Sequence, residues 1–168
     1  PITDDKLGEN HTYFLPYLMG ERSPINDTNA RGTFIGMTMD TTRADLVQAV
    51  LEGVAFAIRD SVEVARSLGI VIDSSKICGG GAKSPIWCQL QADITGLPVR
   101  IPAEKEAACL GCAIIGAVAD GVFPSYQDAA DKIISFQHRY EPVNHAKYEK
   151  KYEKYCALYE AMLKITRM

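Results

Sequence analysis

The chain has 168 residues, 47% of them hydrophobic, and its 18 Lys and Arg against 21 Asp and Glu leave a formal net charge of −3. That length suits one domain with a real core, and the acidic balance leaves no excess of cations to displace counterions from a nucleic acid. No apolar run approaches the roughly 20 residues of a membrane span, nothing at the start resembles a secretory signal, and a start on Pro1 reads as a processed product or a piece of something longer.

Residues 1–32 are turn-rich, and "LPYLMGERSPINDTNARG" reads as a long ordered loop after one short strand around Tyr13–Leu15. "TFIGMT", Thr33 to Thr38, is expected to be a second short strand. A helix then opens at Thr42, with Asp45 three residues on as its capping-box partner. Val47, Val50, Leu51, Val54, Ile58, Val62 and Ala65 recur at helical spacing as its expected inner stripe, and Gly69 stands where a C-terminal cap belongs. "GIVIDSSKICGG" supplies one or two short strands. Ser84 can cap a second helix with Pro85 at its first position, where a missing N–H costs nothing. Trp87, Leu90 and Ile94 form that helix's inner stripe, and Gly96 ends it.

"LPVRIP" reads as a third strand, and a helix from about Glu106 to Asp120 is crowded with Ala and Gly for close approach to a neighbour. A shorter helix opens at Ser125. The tail is an amphipathic helix whose Tyr148, Tyr152, Tyr155, Tyr159 and Met162 share one face, an arrangement that packs rather than holds a cofactor. Alternating strands and helices argue for an α/β layer architecture with part of its sheet parallel. Ligands in such sheets gather at the carboxyl ends of strands.

Five cysteines, Cys78, Cys88, Cys109, Cys112 and Cys156, are an odd number without framework spacing and read as free thiols of a reducing cytoplasm. Cys109 and Cys112 match C-x-x-C, yet they alternate with Ala and Gly as small buried packing residues do. His11, His138 and His145 are scattered, and none has a nearby catalytic partner in the sequence.

The stretch with the most chemistry in it is "SSKICGGGAKSPIW", Ser74 to Trp87. It fails the Walker A pattern twice, with Ala82 and Ile77 where glycines belong. It comes closer to the dinucleotide pattern G-x-G-x-x-G, with Ser84 in the last place and Glu104 at the distance of a ribose-binding acid. A tight strand-to-helix turn would call for the same glycines, so spacing alone leaves both readings open. Bare peptide groups could lie against a base or ribose, and the helix N–H groups could face a phosphate. No general base, nucleophile or metal ligand stands beside them in the sequence.

Four ordered blocks carry a wider likeness: "FLPYLMGERSPINDTNARGTFIGMT", "AVLEGVAFAIRD", "GGGAKSPIWCQLQADITGLPV" and "EAACLGCAIIGAVADG". In order and spacing they resemble the C-terminal domain of the FGGY carbohydrate kinases, with the xylulokinases as the nearest branch. The resemblance implies a ribonuclease-H-like half-domain of the actin, hexokinase and heat-shock-chaperone ATPase superfamily, with a mixed sheet flanked by helices. It implies ATP and Mg²⁺ as cofactors and transfer of the γ-phosphoryl group to a pentulose, D-xylulose in that branch.

Matched position by position, Gly79, Gly80, Gly81 and Ala82 would line the adenine and ribose of the nucleotide. Ser84 falls where relatives often carry a polar residue, frequently Asn, that reaches the base. The helix from Glu106, with Gly111 and Gly116, matches a connector that moves as the interdomain cleft closes. Relatives often have Ala where Cys109 and Cys112 stand.

By the same likeness, residues 1–168 form a single domain, the C-terminal part of a longer sugar kinase. The N-terminal domain that binds phosphates and sugar is missing, and so is the Gly-Asp pair that supplies the catalytic base. Asp27 and Asp40 lie in the wrong blocks to replace it, and the chain alone is expected to be inactive. Expected partners are an adenine nucleotide and, through the missing domain, a sugar; no nucleic acid or membrane is expected, and a homodimer is compatible. Glu21, Arg22, Asp27 and Arg31 are read as a salt-bridged, turn-holding loop rather than a lining of the cleft. Two other functions stay open: a dinucleotide-binding oxidoreductase module and a non-enzymatic actin-like interaction domain.

Overall fold

The computed structural model describes residues 7–104 and 106–166. A two-stranded antiparallel ribbon comes first, β1 (Tyr13–Leu15) with β2 (Thr33–Ile35), registered Tyr13 to Ile35 and Leu15 to Thr33. β2 is shorter than expected because Gly36 turns the chain at φ +85°, close against the His11 carbonyl. Helix α1 (Arg43–Ser67) opens on the capping box: Thr42 Oγ1 accepts from Asp45 N, and Asp45 accepts from Thr42 N. It closes on Gly69 at φ +80°, whose N–H reaches Arg66 O while Ile70 N reaches Ala65 O. That is the paired closure that a left-handed glycine permits.

The expected inner stripe of α1 is corrected by the structure. Its buried positions are Gln48, Ala49, Glu52, Gly53, Ala55, Phe56 and Arg59, whereas Val47 is 51% exposed and Val50, Val54, Ile58 and Val62 are only half-buried. The physical cause lies in α5 (His145–Thr166), which brings its own polar partners to that face. Lys151 Nζ pairs with Glu52, and both are almost fully buried. The Arg59 guanidinium lies 4.0 Å over the Tyr152 ring and bonds Ile94 O and Glu149. Phe56 meets Tyr148, Tyr152 and Tyr155 with ring centroids 5.1–6.4 Å apart. The tyrosine stripe of α5 is therefore core packing, with Tyr148 and Tyr155 wholly buried.

The second sheet runs β3 (Ser75–Lys76), β4 (Val99–Pro102), β5 (Phe136–Tyr140). β3 and β4 are parallel, joined through α2 (Pro85–Thr95), and β5 is antiparallel to β4. The sheet is mixed, as the fold class required. "GIVID" forms no strand, and Ile70 and Val71 are exposed. β5 had no counterpart in the sequence reading: F-Q-H-R-Y is apolar only at its ends, so no period-2 alternation announces it. α2 ends on Gly96 at φ +67°, and its Cys88, Leu90, Ala92 and Ile94 are buried. Trp87 is only half-buried.

Helix α3 (Ala107–Ala119) packs against α4 (Tyr126–Ile133), which Ser125 caps through Asp128 N. Among its described residues only Ile114 is buried, and a Cβ on Gly111 or Gly116 would meet nothing within 4 Å. The expected close neighbour of this Ala/Gly face is not among the described residues. Cys109 and Cys112 are exposed rather than packed, and all five cysteines are free thiols.

Candidate nucleotide-binding site

The three glycines follow β3 after two residues and fold into a single 3₁₀ turn, Gly80–Lys83, before α2 begins. Gly79 enters that turn at φ +72°, a conformation that side chains rarely tolerate. Ser84 Oγ accepts from Trp87 N at 3.3 Å and so caps α2, with Pro85 at its first position. That bond uses an oxygen lone pair and leaves the hydroxyl proton to donate elsewhere.

The three glycines are not equivalent. A Cβ on Gly79 or Gly80 would meet no atom within 4 Å, so their peptide faces are open. A Cβ on Gly81 would lie 3.1 Å from Trp87 Nε1, a tight contact that the indole would have to yield to accommodate. From beneath, the fully buried Cys88 donates its thiol toward Gly81 O at 3.7 Å and Ala82 O at 3.9 Å. Burial pushes the Cys88 thiol up, away from nucleophile chemistry.

A cleft of about 340 Å³ opens beside the turn. Gly79, Ala82 and Lys83 form one wall, Glu104 stands beyond the end of β4, and Gln137 and His138 come from β5. The structure thus unites Gly79, Ala82 and Glu104, which sequence spacing had already linked. Gly80, Gly81 and Ser84 belong to the same turn without lining this cleft. His138 and Gln137 were missed as site residues because β5 was missed, and their only sequence signal was a histidine between two aromatic residues. Glu104 Oε1 accepts from Glu106 N at 3.0 Å, at the N-cap of α3.

The acidic and basic loop before β2 does something else. Glu21 and Asp27 exchange backbone hydrogen bonds at 2.8 Å, and Glu21 Oε1 accepts from Arg22 N. Asp27 Oδ1 accepts from Asn29 N, and Arg31 donates to the Thr28 and Ala30 carbonyls. These contacts hold a turn, and the charged groups do so by bonding backbone rather than through the salt bridges expected between them.

Among the described residues, no group of three or more His, Cys, Asp or Glu is arranged to hold a metal ion, and no helix is long and apolar enough to cross a membrane.

Residues 3–119 match the family model described as the C-terminal domain of the FGGY family of carbohydrate kinases. A xylulose kinase of Staphylococcus epidermidis is 38% identical over 162 residues, which cover 96% of this chain and 32% of that protein. Among solved structures, a gluconate kinase from Lactobacillus acidophilus matches with a TM-score of 0.84 at 29% identity, covering 92% of this chain and 32% of its own. A ligand-bound xylulose kinase from the same organism matches at 0.83 and 29%, covering 93% and 32%. The chain therefore spans about a third of the length of the relatives it matches.

Proposed function

The chain belongs to the FGGY family of carbohydrate kinases, and on that premise we propose that it is the adenosine-holding part of an ATP-dependent kinase whose substrate is D-xylulose. On this reading it forms one domain, preceded in the complete protein by the domain that binds the sugar. The observation that carries the nucleotide role is the pair of open glycine faces, Gly79 and Gly80, beside a cleft of about 340 Å³ at the end of a parallel strand. A side chain at Gly79 would crowd the space a flat base or a ribose needs, and one at Gly80 would cover the open face of the adjoining turn.

Ala82 continues the same wall, and Ser84, on the same turn but outside the cleft lining, keeps a hydroxyl proton for a base that extends past the cleft. Gly81 takes part as the position that leaves room for the Trp87 indole beside the loop. Glu104 lines the cleft, where a carboxylate suits a ribose hydroxyl. Mg²⁺ would travel on the nucleotide phosphates, since hard divalent cations keep most of their ligands from phosphate and water. The chain's own part is to bind and orient, so phosphoryl transfer needs a base and phosphate clamp from elsewhere in the protein.

The sugar assignment leans on the names of relatives, among which xylulose and gluconate kinases both occur. The oxidoreductase and actin-like readings draw no support from any of these matches.

Titration of the chain with ATP, followed by backbone amide NMR, tests the nucleotide role. Binding is expected to perturb Gly79 to Ser84, and Gly80→Val is expected to abolish it without lowering the melting temperature. Equal binding by wild type and variant would refute the role, and tighter binding of NAD than of ATP would favour the oxidoreductase. D-Xylulose, glycerol and gluconate offered to the complete polypeptide test the substrate. The isolated chain is expected to phosphorylate none of them.

A further inference from the structure

A second cavity, about 310 Å³, lies on the other side of the α2 N-terminus from the glycine cleft, and Pro85 and Tyr140 separate the two. Leu7, Pro85, Ile86 and Leu90 give it mostly apolar walls. Its polar lining is Gln48, Gln89, Asp93 and Asn144 with the Tyr140 phenol, and among the described residues it includes no Lys or Arg. The nucleotide reading makes no use of this cavity.

Within this lining the amide groups of Gln48, Gln89 and Asn144 donate and the Asp93 carboxylate accepts. Gln48 Nε2 donates to Glu52 Oε1 at 2.8 Å. Gln89 Nε2 donates to both Asp93 Oδ1, at 3.0 Å, and Glu141 O, at 2.7 Å. Asn144 donates its backbone N–H to Asp93 Oδ1 at 2.9 Å and its amide to Asp93 Oδ2 at 3.4 Å. Gln89 thus spends both amide N–H groups on the protein and keeps its carbonyl oxygen, while Gln48 and Asn144 each spend one side-chain N–H and keep the other beside their oxygens. Asp93 is 1% exposed, and no cation among the described residues bonds its carboxylate. Three hydrogen bonds leave it short of the roughly four lone pairs a carboxylate offers. The N-terminus of α5 beside it supplies only about half a positive charge.

We propose that this cavity binds a small amphiphilic ammonium: an apolar body between Ile86 and Leu90, and an N⁺–H donor to Asp93 and the amide oxygens. A neutral ligand would leave the charge of Asp93 unanswered, and an anion would meet a buried carboxylate. A donor that carries a positive charge completes both the charge and the hydrogen bonds.

The test compares tryptamine with its neutral counterpart, indole-3-ethanol, by amide NMR titration of the folded chain. Tryptamine is expected to perturb Gln48, Ile86, Gln89 and Asn144 and to bind roughly tenfold or more tightly than the alcohol, the worth of one charge-assisted hydrogen bond. Asp93→Asn keeps an oxygen for Asn144 and should erase that preference. Ile86 is 64% exposed, so Ile86→Trp can block the cavity without disturbing the core, and should abolish binding of both compounds. The proposal is overturned if the two compounds bind wild type equally. It also fails if neither perturbs these residues, or if Ile86→Trp leaves the titration unchanged. Because Ile86→Trp retains Asp93, the proposal stays testable even if Asp93→Asn does not fold.

Discussion

Tyr17 Oη and Tyr155 Oη lie 2.9 Å apart in the core, joining the loop after β1 to α5 across 138 residues of sequence. Burial drives both phenols well above the ordinary tyrosine range, so the bond is between neutral hydroxyls. Removing one hydroxyl strands the other away from water. Tyr155→Phe should cost about 1–2 kcal/mol, and Tyr17→Phe a similar amount. The double variant should lose less than the sum, because no orphan remains. Urea denaturation of the four proteins measures the coupling, and strict additivity would show that the two hydroxyls do not share a bond.

The Glu52–Lys151 pair makes a harsher demand. Both groups are buried, and desolvation works to lower the Lys151 pKa against the pull of Glu52. Lys151→Met leaves the Glu52 carboxylate without its cation and should cost about 3–5 kcal/mol. Adding Glu52→Gln keeps an oxygen for Gln48 and should restore most of the loss. Circular dichroism with denaturant would read both effects.

Asp60 sets an expected pH dependence. Burial raises its pKa above the ordinary 3.8, against the lowering effect of hydrogen bonds from Tyr152 and Cys156. The folded state therefore holds a proton that the unfolded state has lost. This stabilisation is complete below pH 3.8 and disappears as pH rises through the raised folded value. Glu149 acts in the opposite sense. Arg59 lowers its pKa below 4.5, so its contribution is lost as pH falls through that lowered value. From pH 4.5 up toward neutrality the Asp60 slope should dominate this pair, and Asp60→Asn should flatten it. Unfolding midpoints across that range would decide, and an unchanged slope in the variant would reject the assignment.

Gly53 separates helix propensity from packing. In an isolated helix, Gly→Ala would stabilise by about 1 kcal/mol. Here a Cβ would run into the carbonyl oxygen of Phe14, where α1 crosses β1. Overpacking of that kind costs typically about 1–3 kcal/mol. Gly53→Ala should therefore lower stability, by about 2 kcal/mol if the contact cannot relax. A lower melting temperature is expected, and a higher one would mean that β1 yields.

What the sequence determined by itself is the set of local devices. The Thr42–Asp45 box, the Ser84–Pro85 start, the Ser125 cap and the closing glycines Gly69 and Gly96 all stand as read. Each works within four or five residues, so its physics is complete in the quoted stretch. The same locality made the glycine turn after β3 legible, and the ordered blocks made the family legible.

Only the tertiary structure decided which face of α1 is buried, because α5, some 90 residues later, carries the lysine and tyrosines that make Gln48, Glu52 and Arg59 comfortable inside. It alone supplied β5, an edge strand with no alternation of its own, held by the ladder that β4 offers. It alone divided the three glycines, two with open faces and one close against Trp87. Long-range partners choose burial, and burial chooses which groups are free to meet a ligand.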